Sequence, residues 1–301
     1  MRDLVVASGF PAVFIRYTPS PEAKYPQALD EIYAAVRWIA RNGDRIGVDG
    51  SRMALAGNSV GGNMAIATAL RAKREQGPQI KLLLPMWPVA DSSFDTASYV
   101  RYAKQRFLTD SLMKWMFDQY TTDPQQRREV YVSPLRATDD ELRGLPPTYI
   151  QVAENDILRD EGEALGRRLS EAGVDATTVR YNGVIHDWGM LNGLATLHQT
   201  RALVLSSAAM MQYYLGTDYI GADRSCEEID FISEQIGWRD LLSLNMADRF
   251  YQAENTWIVP ARKKKGFLNL DSESLSFHGL HKRPFGMGFS CARPLYQIAD
   301  R

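Results

Sequence analysis

The chain has 301 residues, of which 45% are hydrophobic and 24% charged, an ordinary globular composition with enough apolar material for one large core or two smaller ones. Its 35 basic and 36 acidic residues leave a net charge of -1, so no global field draws it to nucleic acid or to an anionic membrane. Two cysteines, Cys226 and Cys291, form neither a disulfide framework nor a zinc signature and suit a reducing compartment.

The opening MRDLVVASGFPAVFI has a faint signal-peptide character, but Asp3 precedes the apolar run, Gly9 and Pro11 break it, and no small-residue cleavage site follows. With no apolar stretch near the ~20 residues of a membrane span, the expectation is a cytoplasmic protein. Ala12–Tyr17 reads as a short buried strand. After a loop marked by Pro19, Pro21 and Pro26, the apolar positions Ala28, Leu29, Ile32, Ala35, Val36 and Ile39 follow helical spacing, with Pro26 in the first turn and Gly43 as the stop. The turn Asp49-Gly50 leads into an apolar strand at Met53–Ala56. Asn63–Glu75 reads as a helix and Ile80–Pro85 as the next strand.

Residues 91–133 are rich in aromatics and weakly periodic, as expected of a pocket-forming or cap-like insertion. Thr148–Ala153 is a buried strand, Glu161–Ala172 a helix stopped by Gly173, Ala176–Tyr181 a strand, and Thr196–Leu215 a long helix. This alternation from residue 12 to about 215 predicts an α/β fold with a mostly parallel sheet flanked by helices. Beyond Gly216 it stops, so residues 1–216 form the predicted domain and 217–301 an extension of unknown, loop-like character. The basic run Arg262–Lys265 within it reads as a solvated turn.

Between the strand at Met53–Ala56 and the helix at Asn63 lies Gly57-Asn58-Ser59-Val60-Gly61-Gly62. It contains G-x-S-x-G, a pattern short enough to arise by chance. Its setting is what gives it weight, because a tight strand-to-helix turn exposes a serine hydroxyl only if the residues two before and two after it are small. Ser59 is therefore the candidate nucleophile, and the Val60 N–H at the helix start is the candidate oxyanion donor.

A serine needs a base. Of four histidines, His198 lies within a predicted helix and His278 and His281 in the loop-like tail, whereas His186 follows a strand in a polar loop. The imidazole in turn needs a carboxylate. Asp156, just after the strand at Thr148–Ala153, is the candidate. Asp160 and Glu161 suit the first turn of the next helix, Glu154 sits at a strand edge, and Asp187 is too close in sequence to reach its neighbour's Nδ1.

The order Ser59, Asp156, His186 and the segments around these residues resemble the hormone-sensitive-lipase-like branch of the α/β-hydrolases, mainly bacterial carboxylesterases. The family's GDSAGGN is similar to Gly57–Asn63, its DPLxDE to Asp156–Glu161, its HGF to His186–Trp188, and its YRLAPE with a following FP to Tyr17–Glu22 and Tyr25-Pro26. Ser133-Pro134-Leu135 and Leu145-Pro146-Pro147 match as well. Asn58 stands where the family carries an acidic residue and Ile157 where it carries proline.

The resemblance implies an α/β-hydrolase-type sheet lacking the first strands, because the family's HGGG segment, which supplies most of its oxyanion hole, has no counterpart here. It also implies a serine carboxylesterase acting on small-molecule, short- to medium-chain esters through an acyl-enzyme, with no metal or organic cofactor; charge and hydropathy add no nucleic acid or membrane partner, and a homodimer is a possible assembly. A catalytically impaired homologue is the alternative implied by the missing HGGG.

Overall fold

The computed structural model describes residues 1–104, 107–216 and 256–262. Cys226, Cys291, His278, His281 and Lys263–Lys265 lie outside the described residues. In chain order the elements are α1 (Arg2–Ser8), β1 (Val13–Phe14), α2 (Gln27–Asn42), β2 (Val48–Asn58), α3 (Val60–Arg74), β3 (Leu82–Met86), α4 (Ala97–Tyr102), α5 (Asp110–Tyr120), α6 (Pro124–Arg128), α7 (Asp139–Leu142), β4 (Thr148–Asn155), α8 (Arg159–Glu171), β5 (Ala176–Ile185), α9 (His198–Leu215) and β6 (Thr256–Arg262).

The strand order is β1-β6-β2-β3-β4-β5. β2, β3, β4 and β5 pair in parallel; α3 joins β2 to β3, α8 joins β4 to β5, and the segment carrying α4 to α7 joins β3 to β4. β6 enters between β1 and β2 and runs antiparallel to both.

A strand buried on both sides alternates its side chains between two cores, and the central strands do so residue by residue. Met53 and Leu55 of β2, Leu83 of β3, and Ile150 and Val152 of β4 join one core, packed under α2, α3 and α8 through Leu29, Ile32, Val36, Met64, Leu165 and Leu169. Their neighbours Ala54, Ala56, Leu82, Leu84, Tyr149 and Ala153 join the other, under α1 and α9 through Leu4, Leu203, Met211 and Leu215. The continuous apolar runs in the sequence are thus the consequence of helices on both faces. Burying each such leucine or isoleucine is worth about 1.5–3 kcal/mol.

α2 follows the predicted helix closely. Pro26 is its N-cap rather than part of its first turn, and Gly43 ends it. β1 is shorter than predicted, because only Val13 and Phe14 have partners on β6. His198 opens α9 instead of lying within it.

The aromatic segment folds as α4, α5 and α6, each started by a capping side chain: Thr96, Thr109 and Asp123 accept from the backbone N–H groups of Tyr99, Leu112 and Gln125. Tyr99, Met113 and Phe117 pack with Tyr25, Ile157 and Leu158 in a third apolar cluster seated on the loop after β4. Phe94 meets the rings of Tyr99 and Phe117 edge-on at 5.7 and 5.0 Å. Among the described residues no helix is long and apolar enough to cross a membrane.

Candidate active site

Three parallel strands end one residue short of the three candidate side chains. β2 ends at Asn58 and is followed by Ser59, β4 at Asn155 and is followed by Asp156, and β5 at Ile185 and is followed by His186. The carboxyl ends of parallel strands are where an α/β sheet gathers functional loops, and the strand lengths bring all three side chains to one point.

The turn at Ser59 is tight enough to demand glycine. A Cβ on Gly57 would lie 2.2 Å from the Gly61 carbonyl oxygen, and one on Gly62 would lie 2.9 Å from the Pro88 side chain. Ser59 itself holds φ 53 and ψ −119, a strained backbone for a residue with a side chain. The strain is braced on all sides. Ser59 N–H donates to the Met86 carbonyl at 2.9 Å, and Val89 N–H donates to the Ser59 carbonyl at 3.2 Å. The Asn63 amide donates to the Val89 and Val132 carbonyls, both at 2.9 Å. Val60 is the first residue of α3, so its N–H is one of the helix's orphan donors, next in sequence to Ser59.

The Ser59 hydroxyl lies 3.1 Å from His186 Nε2, and His186 Nδ1 lies 2.7 Å from Asp156 Oδ2. The other Asp156 oxygen accepts from Leu158 N–H at 3.0 Å, which fixes the carboxylate's orientation. The side chains of His186 and Asp156 are 1% and 0% exposed, so their interaction is little screened by solvent. The Phe107 and Trp87 rings stand 6.3 and 6.4 Å from the imidazole. A hydroxyl, an imidazole and a carboxylate in this series can move a proton from oxygen to nitrogen and stabilise the charge that results.

The competing carboxylates go elsewhere. Glu154 accepts from Gly183 N–H at 2.7 Å, and Asp160 accepts from Ser98 N–H at 2.7 Å, tying α8 to α4. Glu161 lies in the first turn of α8, but its side chain turns inward and accepts from Ala90 N–H at 2.8 Å. Burial pushes its carboxyl well above the usual carboxylate range.

Asp187 does not approach Nδ1, as expected, yet it belongs to the site. Its Oδ1 accepts from Trp87 Nε1 at 2.6 Å and Asn58 Nδ2 at 3.3 Å, and lies 3.8 Å from His186 Nε2. The backbone makes this reach through a left-handed φ of 59°. Adjacency in sequence bears on only one ring nitrogen; the turn delivers the side chain to the other.

Known proteins with related sequences share this arrangement of elements. The chain is similar to an ethyl acetate hydrolase of Pseudomonas putida, 31% identical over 214 residues, which cover 70% of this chain and 66% of that protein. The crystal structure of a thermostable esterase from Pseudomonas putida ECU1011 matches with a TM-score of 0.71 and 51% identity, over 72% of this chain and 68% of that one. A hyperthermophilic esterase from the archaeon Pyrobaculum calidifontis matches with a TM-score of 0.66 and 38% identity, over 70% of this chain and 67% of that one. This chain spans 56% to 66% of the length of such curated relatives. The alpha/beta hydrolase fold family matches residues 1–190, and with the buried parallel sheet and the ordered Ser59, Asp156 and His186 motifs this chain belongs to that family.

Proposed function

We propose that this chain hydrolyses carboxylic esters of short to medium chain length through an acyl-enzyme on Ser59. The observation that carries the reading is the unbroken series from the Ser59 hydroxyl to His186 Nε2 at 3.1 Å and from Nδ1 to Asp156 at 2.7 Å. Ser59 Oγ attacks the ester carbonyl carbon and its proton passes to Nε2, while Asp156 stabilises the imidazolium. The Val60 N–H donates to the oxyanion. The tetrahedral intermediate collapses, the C–O bond to the alcohol breaks, and Nε2 returns the proton to the departing alkoxide. Water then repeats the sequence on the acyl-enzyme and releases the acid. These steps call for no metal or organic cofactor. The esterase and ethyl acetate hydrolase relatives support a small-molecule ester as substrate.

A second reading has its own support. The chain spans 56% to 66% of its curated relatives' length and carries no HGGG segment. A homologue that keeps the triad residues but is catalytically impaired or inactive is the alternative.

Labelling with a fluorophosphonate probe, beside a Ser59→Ala control, separates the two when coupled to hydrolysis of short aryl esters. Labelling and turnover that both vanish in Ser59→Ala are the expected result. Folded protein that neither labels nor hydrolyses removes the esterase reading and leaves the impaired homologue.

A further inference from the structure

His186 is flanked by carboxylates on both ring nitrogens. Asp156 meets Nδ1 at 2.7 Å from the loop after β4, and Asp187 stands 3.8 Å from Nε2 in the loop that carries His186 itself. Both are buried, and among the described residues neither is ion-paired with lysine or arginine. Among the contacts of the described residues, the Ser59 hydroxyl faces the imidazole from β2, and the rings of Trp87 and Phe107 face it from the end of β3 and the aromatic segment. Behind Asp156 stands Glu161 of α8, whose carboxyl burial drives well above the usual carboxylate range.

Asp187 is held by two N–H donors, Trp87 Nε1 at 2.6 Å and Asn58 Nδ2 at 3.3 Å. It holds this place with a left-handed φ of 59°, a conformation that aspartate and asparagine adopt more readily than other residues with a side chain. The turn and these two hydrogen bonds aim Oδ1 at the nitrogen that receives the serine proton.

We propose that Asp187 is a positioning residue for the acyl-transfer reaction, a second acid whose carboxylate stabilises the imidazolium of His186 from the Nε2 side while Asp156 does so from Nδ1. The inference rests on the acyl-transfer reading above. As Ser59 attacks, the imidazole gains its charge between two fixed negative groups, and an opposite charge within about 4–6 Å favours the protonated ring. The distance of 3.8 Å leaves Nε2 free to hold its hydrogen bond to Ser59 at 3.1 Å, so Asp187 adds field without competing for the proton.

The test is the titration of the His186 imidazole by NMR in the full chain, assigned against a His186→Ala spectrum, together with the pH dependence of fluorophosphonate labelling. Asp187→Asn removes the charge, keeps an acceptor for Trp87 and Asn58, and tolerates the left-handed backbone. The expected result is a His186 midpoint lowered by about one pH unit, and an acid limb of labelling displaced downward by the same amount, with KM for an aryl ester little changed. Asp187→Gly, which relieves the backbone, serves if Asp187→Asn does not fold. A midpoint moved by less than about 0.2 unit, whether KM rises or stays, overturns the proposal. The NMR titration needs no turnover, so failure of the esterase reading, seen as unlabelled wild-type protein, is distinguishable from failure of this one.

Discussion

β2 divides the sheet into two unlike sides. On one side β3, β4 and β5 follow in sequence, run parallel, and end at Asp156 and His186. On the other side stand β6, drawn from residues 256–262 and antiparallel to β2, and the two-residue β1. Every group of the proposed chemistry lies on β2 or on the first side, while β2 takes ladder hydrogen bonds from both. The lesson is a division of labour. One flank places the reacting atoms, and the other holds the nucleophile's strand in a sheet.

The sharpest way to test that division is to remove chemistry without touching the sheet. Asp156→Asn keeps the size of the side chain and an acceptor for Leu158 N–H but leaves the wrong hydrogen-bonding partner for Nδ1. The expected outcome is a fall in kcat of about 10⁴ with a thermal melt close to that of the wild type. A melt that drops sharply along with activity would mean that the triad side also carries the fold at that position.

The two sides also differ in how far the sequence discloses them. Parallel strands buried on both faces are continuous apolar runs, and β2, β3 and β4 were legible for that reason, as were α2 from its spacing and Ser59, Asp156 and His186 from their places just after strands. β6 has no such advertisement. Thr256–Val259 is a β-prone run, but Pro260 within it argues against an interior strand. In the structure Pro260 pairs with Met53, next to the point where the β2–β6 register shifts between Asp49 and Met53, a place where a missing N–H is tolerated. Nor could local pattern reveal that the partners of 256–262 lie some two hundred residues earlier.

Asp187 was hidden for another reason. Its place beside Nε2 depends on a positive φ, which no side-chain pattern encodes. The helices α4, α5 and α6 were obscured by aromatics without period, although their capping residues Thr96, Thr109 and Asp123, the last followed by Pro124, were visible signals.

The opposite disturbance breaks the other flank. β6 is an interior strand, so its N–H groups are shared between β1 and β2, and Ile258 is in register with Val13 on one side and Leu55 on the other. Ile258→Pro removes one ladder donor and fixes a ring in the middle of the strand. Stability is expected to fall by about 1–3 kcal/mol, read by denaturant titration, and hydrogen exchange of the β2 amides is expected to quicken. The labelling rate per folded molecule changes little if the two flanks divide the work as described. Unchanged protection of β2 would show that β6 contributes nothing to holding it.

The smallest effect concerns pH, and it lies within the catalytic flank. Glu161 joins α8 to the loop after β3 through Ala90 N–H, while its Oε2 is buried without a partner. Burial, reinforced by the nearby charges of Asp91 and Asp156, raises its carboxyl well above the ordinary 4.5 despite the two backbone donors. The folded protein therefore holds a proton that the unfolded chain releases. This contribution to stability is fully present below the unfolded value and is lost as pH rises toward and through the folded one. Glu161→Gln cannot titrate. Its carbonyl still accepts from Ala90, but its amide places two buried N–H donors where the protonated carboxyl places one O–H, at a cost of about 1–3 kcal/mol. The variant is thus expected to be less stable than the wild type at about pH 5, with the gap narrowing by about 1 kcal/mol or more toward about pH 8. Denaturant titrations at the two pH values measure that gap directly. A gap that stays constant would mean that Glu161 is ionised in the folded state and braces α8 as a charge, which would place a third buried negative group behind Asp156 on the catalytic flank.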